Sequence, residues 1–379
     1  IPYLFVGSLV AVLVMCLLPN AGSFGMAVST AMIFGLVSLM FLDTSINMAM
    51  QPFKMMVGDM VNEKQKGLAY SIQSFLCNAG SLVGFLFPFI FTWIGISNIA
   101  PQGVVPDSVI YSFYIGAAIL ILCVIYTTVK VKEMPPAEYA EYHGITEEEE
   151  KEKINMVKLL VKAPKAFWTV GLVQFFCWFA FMFMWTYTNG SVAANVFDAP
   201  TVETAVNGVS KVMLDTKSIQ YQDAADWVGV LFAVQAIGSV LWAVCIPLFK
   251  DRKLIYSLSL VLGGLGFIST YFVHNQYVLF ISFLLIGCAW AAMLALPFTI
   301  LTNALSGGHM GTYLGLFNGT ICIPQIVAAS LGGSILALFT PKGMLPPEIN
   351  MLVMAGIMLI IGAVCVYLIK ETKGEQTKA

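Results

Sequence analysis

The chain is dominated by long runs of apolar sequence with the charges confined between them. Ten segments contain the roughly 20 mostly apolar residues that an α-helix needs to cross a bilayer: 2–19, 24–53, 67–96, 109–129, 165–190, 226–249, 254–273, 277–304, 310–339 and 349–369. Each is hydrophobic on all faces, with small polar interruptions, which suits helices packed in lipid rather than coiled coils or strands. Only 11% of the 379 residues are charged, against about 25% in a soluble domain, so a water-facing core of this size is not feasible. The segments therefore predict an all-α membrane protein.

Lysine and arginine then fix the orientation, since basic residues concentrate in cytoplasmic loops. With Ile1 placed inside and the spans alternating, 16 of the 19 basic residues fall in inner loops, leaving Lys211, Lys217 and Lys342 outside. Both visible ends are expected to be cytoplasmic, in the inner (cell) membrane. Residues 131–164 stand apart: Met134-Pro135-Pro136 is followed by four consecutive glutamates, Glu147 to Glu150. This segment reads as a solvated linker between an N-terminal half, 1–130, and a C-terminal half, 165–370, with a short cytoplasmic tail at 371–379. Four spans precede the linker and six follow. Equal halves would put two further spans before Ile1.

Several function classes find no support. A net charge of −2 gives nucleic acid no basic surface. The eight cysteines all lie in apolar runs without a C-x-x-C pair, so neither a disulfide framework nor a metal site is indicated. His143, His274 and His309 fall in loops, and there is no phosphate-binding glycine loop and no H-E-x-x-H. No cofactor and no metal are expected. The sequons at Asn189 and Asn318 lie in or beside spans and are discounted as glycosylation sites.

Asp43 is the central residue, the one carboxylate well inside a span. A charge at membrane depth costs about 2.5–3.5 kcal/mol or more on insertion scales, and marks a functional site by default. Asn47, Gln51 and Lys54 follow it on one polar stripe of the same helix, which must face protein or a watery cavity rather than lipid. Lys54 lies about 16 Å further along the axis at 1.5 Å per residue. If its ammonium sits at the inner interface, Asp43 lies near the midplane, where transport sites are found. Snorkelling to the interface is an equal reading of Lys54. A carboxylate desolvated at such depth can take up and release a proton near neutral pH, the requirement of a proton-coupling group.

The segment 165–190 places Gln174, Trp178, Phe181 and Trp185 on one helical face. Sugars present apolar C–H faces and many hydroxyls, so aromatic rings beside an amide suit them; packing aromatics at helical spacing is the competing reading. Tyr187 and Asn189 at the outer end read as interface residues. Ser71, Ser74, Asn78 and Ser81 recur on one face of 67–96, with Gln73 beside them. Asn318 and Gln325 share a face of 310–339, with Pro324 between them expected to bend the helix or weaken its ladder locally. For these amides, sugar contact and interhelical hydrogen bonding are both open.

These residues carry a family resemblance. The run from Asp43 through Pro52-Phe53-Lys54 to Gly58-Asp59-Met60 resembles the fourth helix of sucrose and maltose proton symporters, in the glycoside–pentoside–hexuronide cation symporter family of the major facilitator superfamily. Gly315-Leu316-Phe317-Asn318 through Ile323-Pro324-Gln325-Ile326 is similar to the eleventh helix of that family, with its N-x(5)-P-Q. Lys132-Glu133-Met134-Pro135-Pro136 resembles the end of the sixth helix in bacterial members. The resemblance implies a major facilitator fold of two pseudo-symmetric six-helix halves, the first two helices lying before Ile1, and alternating access around a central site. It implies that Asp43 takes part in proton coupling. At the position of Lys54 the plant carriers have arginine, and where they have an acidic Y-D-T-D this chain reads Tyr187-Thr188-Asn189-Gly190. The expectation is a monomeric carrier whose partners are a sugar, a proton or sodium, and the lipid bilayer. Its activity would be proton-coupled uptake of a disaccharide such as maltose or sucrose. The alternatives are a sodium-coupled carrier of the melibiose type, a sugar sensor that moves nothing, and an intramembrane enzyme. The last would need a second catalytic group near Asp43, which no span supplies.

Overall fold

The computed structural model describes residues 2–25, 28–61, 63–96, 105–132, 156–206, 209–305, 310–341 and 343–369. They fold as α1 (Pro2–Leu17), α2 (Val28–Met60), α3 (Glu63–Trp93), α4 (Asp107–Lys130), a short α5 (Met156–Val161) and α6 (Lys165–Asn195). A two-stranded hairpin follows, β1 (Thr201–Val206) and β2 (Val209–Leu214). The chain continues with α7 (Ile219–Cys245), α8 (Arg252–Ser269), α9 (Leu279–Ala304), α10 (Met310–Phe317), α11 (Gly319–Phe339) and α12 (Ile349–Cys365).

Nine spans among the described residues are long and apolar enough to cross a membrane. They correspond to nine of the ten expected segments. The tenth, 67–96, is helical as α3 but is not among the nine. Most of the expected linker lies outside the described residues; α5 falls within it.

The chain divides into two compact units. The first comprises Ile1–Val61, Val83–Lys153 and Gly307–Leu314; the second comprises Asn62–Leu82, Ile154–Ser306 and Gly315–Ala379. Helix α3 is thus shared between them.

In the first unit α1 packs on α2 and α4. Gly7 permits the close crossing: a Cβ there would stand 2.9 Å from the Ser45 carbonyl oxygen and 3.2 Å from the Ala49 Cβ. Leu4, Ala49 and Val124 form the buried contact, with Phe5, Met56 and Leu120 around it. At the other end of α1, Asn20 donates to the Tyr114 hydroxyl at 2.7 Å, tying the chain after α1 to α4.

The second unit holds most of the buried side chains, and its helices approach through small residues, the usual solution where lipid offers no hydrophobic drive to association. Helices α7 and α9 meet at Gly238 and Gly287, where an added Cβ would overlap the facing backbone. Helices α8 and α12 meet at Gly264 and Gly356, each within 3 Å of the other's carbonyl oxygen once a Cβ is added. Polar side chains add bonds between helices: Trp242 of α7 donates to Ser259 Oγ of α8 at 2.8 Å, Ser257 of α8 to the Ala363 carbonyl of α12 at 3.1 Å, and Ser269 of α8 shares a 2.7 Å bond with Ser282 of α9. Asp251 begins α8, its carboxylate accepting from the Lys253 and Leu254 amides, which accounts for a sharp helix start inside the basic Lys250–Lys253 loop.

The helix break in the eleventh-helix motif falls at Asn318. The Asn318 amide bonds the Gly315 carbonyl, three residues back, at 3.2 Å, and α11 then runs through Pro324 without interruption. Tyr187 also departs from expectation. It is buried rather than interfacial, because Gly332 on α11 leaves room for its ring: a Cβ at 332 would stand 2.5 Å from the phenol oxygen. Asn189 beside it donates to the Tyr221 hydroxyl at 3.0 Å.

Candidate functional site

In the first unit, the packed face of α2 is marked by buried Ser38, Ser45 and Ala49. Asp43 and Asn47 are each two residues from Ser45, hence about 160° around the helix. They sit on the opposite face, turned away from α1. Asp43 is exposed, and Asn47 is half-buried and donates to the Asp43 main-chain carbonyl at 2.9 Å. Lys54 is half-buried further along the helix. The side chain of Gln51 lies outside what the structure describes.

The second unit brings together the aromatic face of α6 and one turn of α9. Gln174 is buried, and its amide Nε2 donates to the Met293 carbonyl at 2.9 Å. One turn on, the Trp178 ring meets Trp290 edge to face at 5.7 Å. The two helices therefore run antiparallel here, 174 opposite 293 and 178 opposite 290. Trp290 is also 5.8 Å from Trp185 and 4.8 Å from Phe181, and Trp178 lies 6.4 Å from Trp185. Edge-to-face and tilted geometries at these separations are the favourable ones for π systems, about 0.5–1.5 kcal/mol each beyond simple burial. Trp185, at 44% exposure, is the open member of the group, while Trp178 is 9% exposed.

Two polar atoms in this cluster are not satisfied. Gln174 Oε1 and Trp178 Nε1 are buried with no hydrogen-bond partner among the described residues. A buried donor or acceptor left unpaired costs about 1–3 kcal/mol, so a native site that keeps two of them one helical turn apart calls for an explanation. An acceptor and an indole donor one turn apart, with two further indoles against the second, can take a ligand that carries hydroxyls on an apolar ring.

Other candidates separate. Ser74 donates to the Ala291 carbonyl at 3.4 Å and so ties α3 to α9, while Asn78 donates to the Ser74 carbonyl of its own helix at 2.7 Å. Gln73 keeps a buried Nε2 without a partner. Asn318 reaches only the Cys322 sulfur, at 3.9 Å, and its Oδ1 is buried and unpartnered. Gln325 is half-buried. The structure therefore joins Gln174, Trp178 and Trp185, adds Trp290, and places no described contact between them and Asn318, Gln325 or Gln73. Trp290 was not singled out by sequence, because a lone Trp in an apolar run carries no periodic signal; its position in line with Met293 and opposite 178 is a tertiary fact. Among the described residues no group of acidic, His and Cys side chains could hold a metal ion.

Residues 193–379 match the family model of the Major Facilitator Superfamily. Among solved structures, a variant of the E. coli fucose:proton symporter FucP aligns over 96% of this chain and 84% of its own, with a TM-score of 0.60 at 14% identity. FucP in the outward conformation aligns over 96% and 82%, with a TM-score of 0.61 at 14% identity. A bacterial homolog of the human lysosomal transporter Spinster, inward-facing and occupied, covers 96% and 81% with a TM-score of 0.49 at 16% identity. No curated protein matches the sequence. The chain is a multi-span membrane protein with the major facilitator fold.

Proposed function

We propose that this major facilitator chain is a secondary active transporter that takes up a sugar, a disaccharide such as maltose or sucrose, together with a proton. The observation that carries the reading is the α6–α9 cluster: three indoles, one of which holds a buried donor, Trp178 Nε1, one turn from a buried acceptor, Gln174 Oε1, neither of which has a partner among the described residues. A pyranose supplies what each element lacks, an apolar ring face for the half-exposed Trp185 and hydroxyls for the amide and the indole. Asn318, Gln325, Gln73, Asn47, Gln51 and Lys54 are the further candidates for sugar contact. The fold shared with FucP, itself a fucose:proton symporter, supports the assignment.

Asp43 is the coupling group in this reading. Its protonation and sugar binding would be linked through one conformational equilibrium, each favouring the same state. The basic residues argue for a cell-membrane location with both visible ends cytoplasmic. The test is proton movement on adding single sugars to cells that produce the protein, with and without Asp43→Asn. Sugar-dependent alkalinisation of the medium that disappears in the variant supports the reading. Uptake that follows sodium instead of protons identifies a melibiose-type carrier, and binding without flux identifies a sensor. Gradient-driven accumulation that survives intact in Asp43→Asn removes the coupling assignment.

A further inference from the structure

Glu348 occupies the N-cap position of α12, but its carboxylate makes no bond to the first-turn amides. It lies instead across α6 at Gly190, where any Cβ would overlap the carboxylate oxygen Oε2. Gly190 is thus a notch that admits this one acid. Among the described residues no counter-charge acts on it, burial being the one influence. Helix α6 brings Tyr187, close enough to feel the acid's charge, while Asn189 is engaged with Tyr221. Neither α11 nor α12 itself contributes an acid or a base, and α8 has none in residues 259–269. Burial pushes the Glu348 carboxyl up to about 7, because a desolvated carboxylate without a partner is held more easily in its neutral form.

We propose that Glu348 is a proton-operated latch at the outer end of the second unit. Neutral, its carboxyl seats in the Gly190 notch and clamps the start of α12 to α6; charged, it withdraws to water and releases that end. The inference does not depend on the sugar assignment, since it concerns the packing of two helices and not the cargo.

Hydrogen–deuterium exchange of peptides covering residues 345–355 tests it, on the intact protein in detergent or lipid, after correction for intrinsic exchange rates, from pH 5.5 to 8.5. The expected result is protection that falls as pH passes about 7 in the wild type and does not vary with pH in Glu348→Gln. Gly190→Ala, which fills the notch while keeping Glu348 itself, should give low protection at every pH. Wild-type protection that is flat across this range overturns the latch, as does a Glu348→Gln protein that keeps the wild-type dependence. If Glu348→Gln does not fold, the wild-type profile and Gly190→Ala decide on their own: a pH-dependent profile retained in Gly190→Ala is equally fatal.

Discussion

Trp178→Phe separates the ligand role of the α6–α9 cluster from its packing role. The substitution keeps an aromatic ring against Trp290, now 5.7 Å from the Trp178 ring, and removes only the N–H and part of the ring. That N–H has no partner in the protein, so deleting it breaks no internal hydrogen bond. It relieves a desolvation penalty of about 1–3 kcal/mol, set against a cavity from the smaller ring of about 1–2 kcal/mol by analogy with other large-to-small core changes. The net change in stability is expected within about 1 kcal/mol of zero. Affinity should behave differently. Loss of one hydrogen bond to a sugar hydroxyl costs about 0.5–1.5 kcal/mol, or roughly 2- to 12-fold in Kd. The assay is a pair of measurements on purified protein: thermal unfolding, and sugar titration by the change in intrinsic tryptophan fluorescence or by calorimetry. Weaker binding with an unchanged Tm is the expected pattern. Wild-type affinity at an unchanged Tm would mean that the N–H serves no ligand, and a large fall in Tm would mean that the indole is structural.

Other parts of the account are open to equally direct checks. Trp290→Ala removes the ring that supports Trp178, Trp185 and Phe181 and should weaken sugar binding at least tenfold, while Trp290→Phe should restore most of it; equal affinity in wild type and Trp290→Ala would separate Trp290 from the site. Gly287→Leu drives a side chain into the α7 backbone at Gln235 and Gly238 and should cost about 1–3 kcal/mol or more, read as a lower Tm or loss of folded protein on size-exclusion chromatography. Asp251→Ala removes the α8 cap and should cost about 1 kcal/mol; an unchanged Tm would show that the cap is not needed in the membrane. A fourth expectation follows from the raised Glu348 carboxyl. Because folded protein holds that proton more tightly than unfolded protein does, the contribution is fully present at pH values below the ordinary carboxylate range and is lost as pH rises through about 7. The Tm difference between wild type and Glu348→Gln should therefore widen against the wild type between pH 5 and 8, and a constant difference would contradict it.

The spans were legible because one physical rule governs them. Hydrocarbon tolerates neither charge nor unpaired backbone, so uninterrupted apolar runs such as 349–369 can only be helices, and charged loops such as Lys250–Lys253 mark their ends. Structure between the spans follows different rules, and apolar runs do not report it. Thr201–Val206 and Val209–Leu214 form an antiparallel hairpin with Val206 paired to Val209. The sequence between them is Asn207-Gly208, the strongest short-range hairpin signal, set among alternating β-branched residues. The reading of the site was half legible. Helical spacing alone puts Gln174, Trp178 and Trp185 on one face, and it does the same for Asp43 and Asn47. It does not reveal which helix they meet, so Trp290 and the notch that Gly190 makes for Glu348 had no trace in periodicity. Glu348 follows Pro346-Pro347 at the margin of a span, where an acid looks like an ordinary loop residue. For the stripe of Ser74 and Asn78 spacing left sugar contact and interhelical bonding both open, and Ser74 makes an interhelical bond to Ala291.

The claim on which the account rests is that sugar and proton move together through this protein. Proton uptake measured on addition of single sugars, maltose and sucrose among them, to de-energised cells that produce the protein tests it most directly. The account requires a sugar-specific alkalinisation that saturates with sugar concentration, is abolished by a protonophore and is lost in Asp43→Asn. Sugar entry at the wild-type rate with no accompanying proton movement would contradict it.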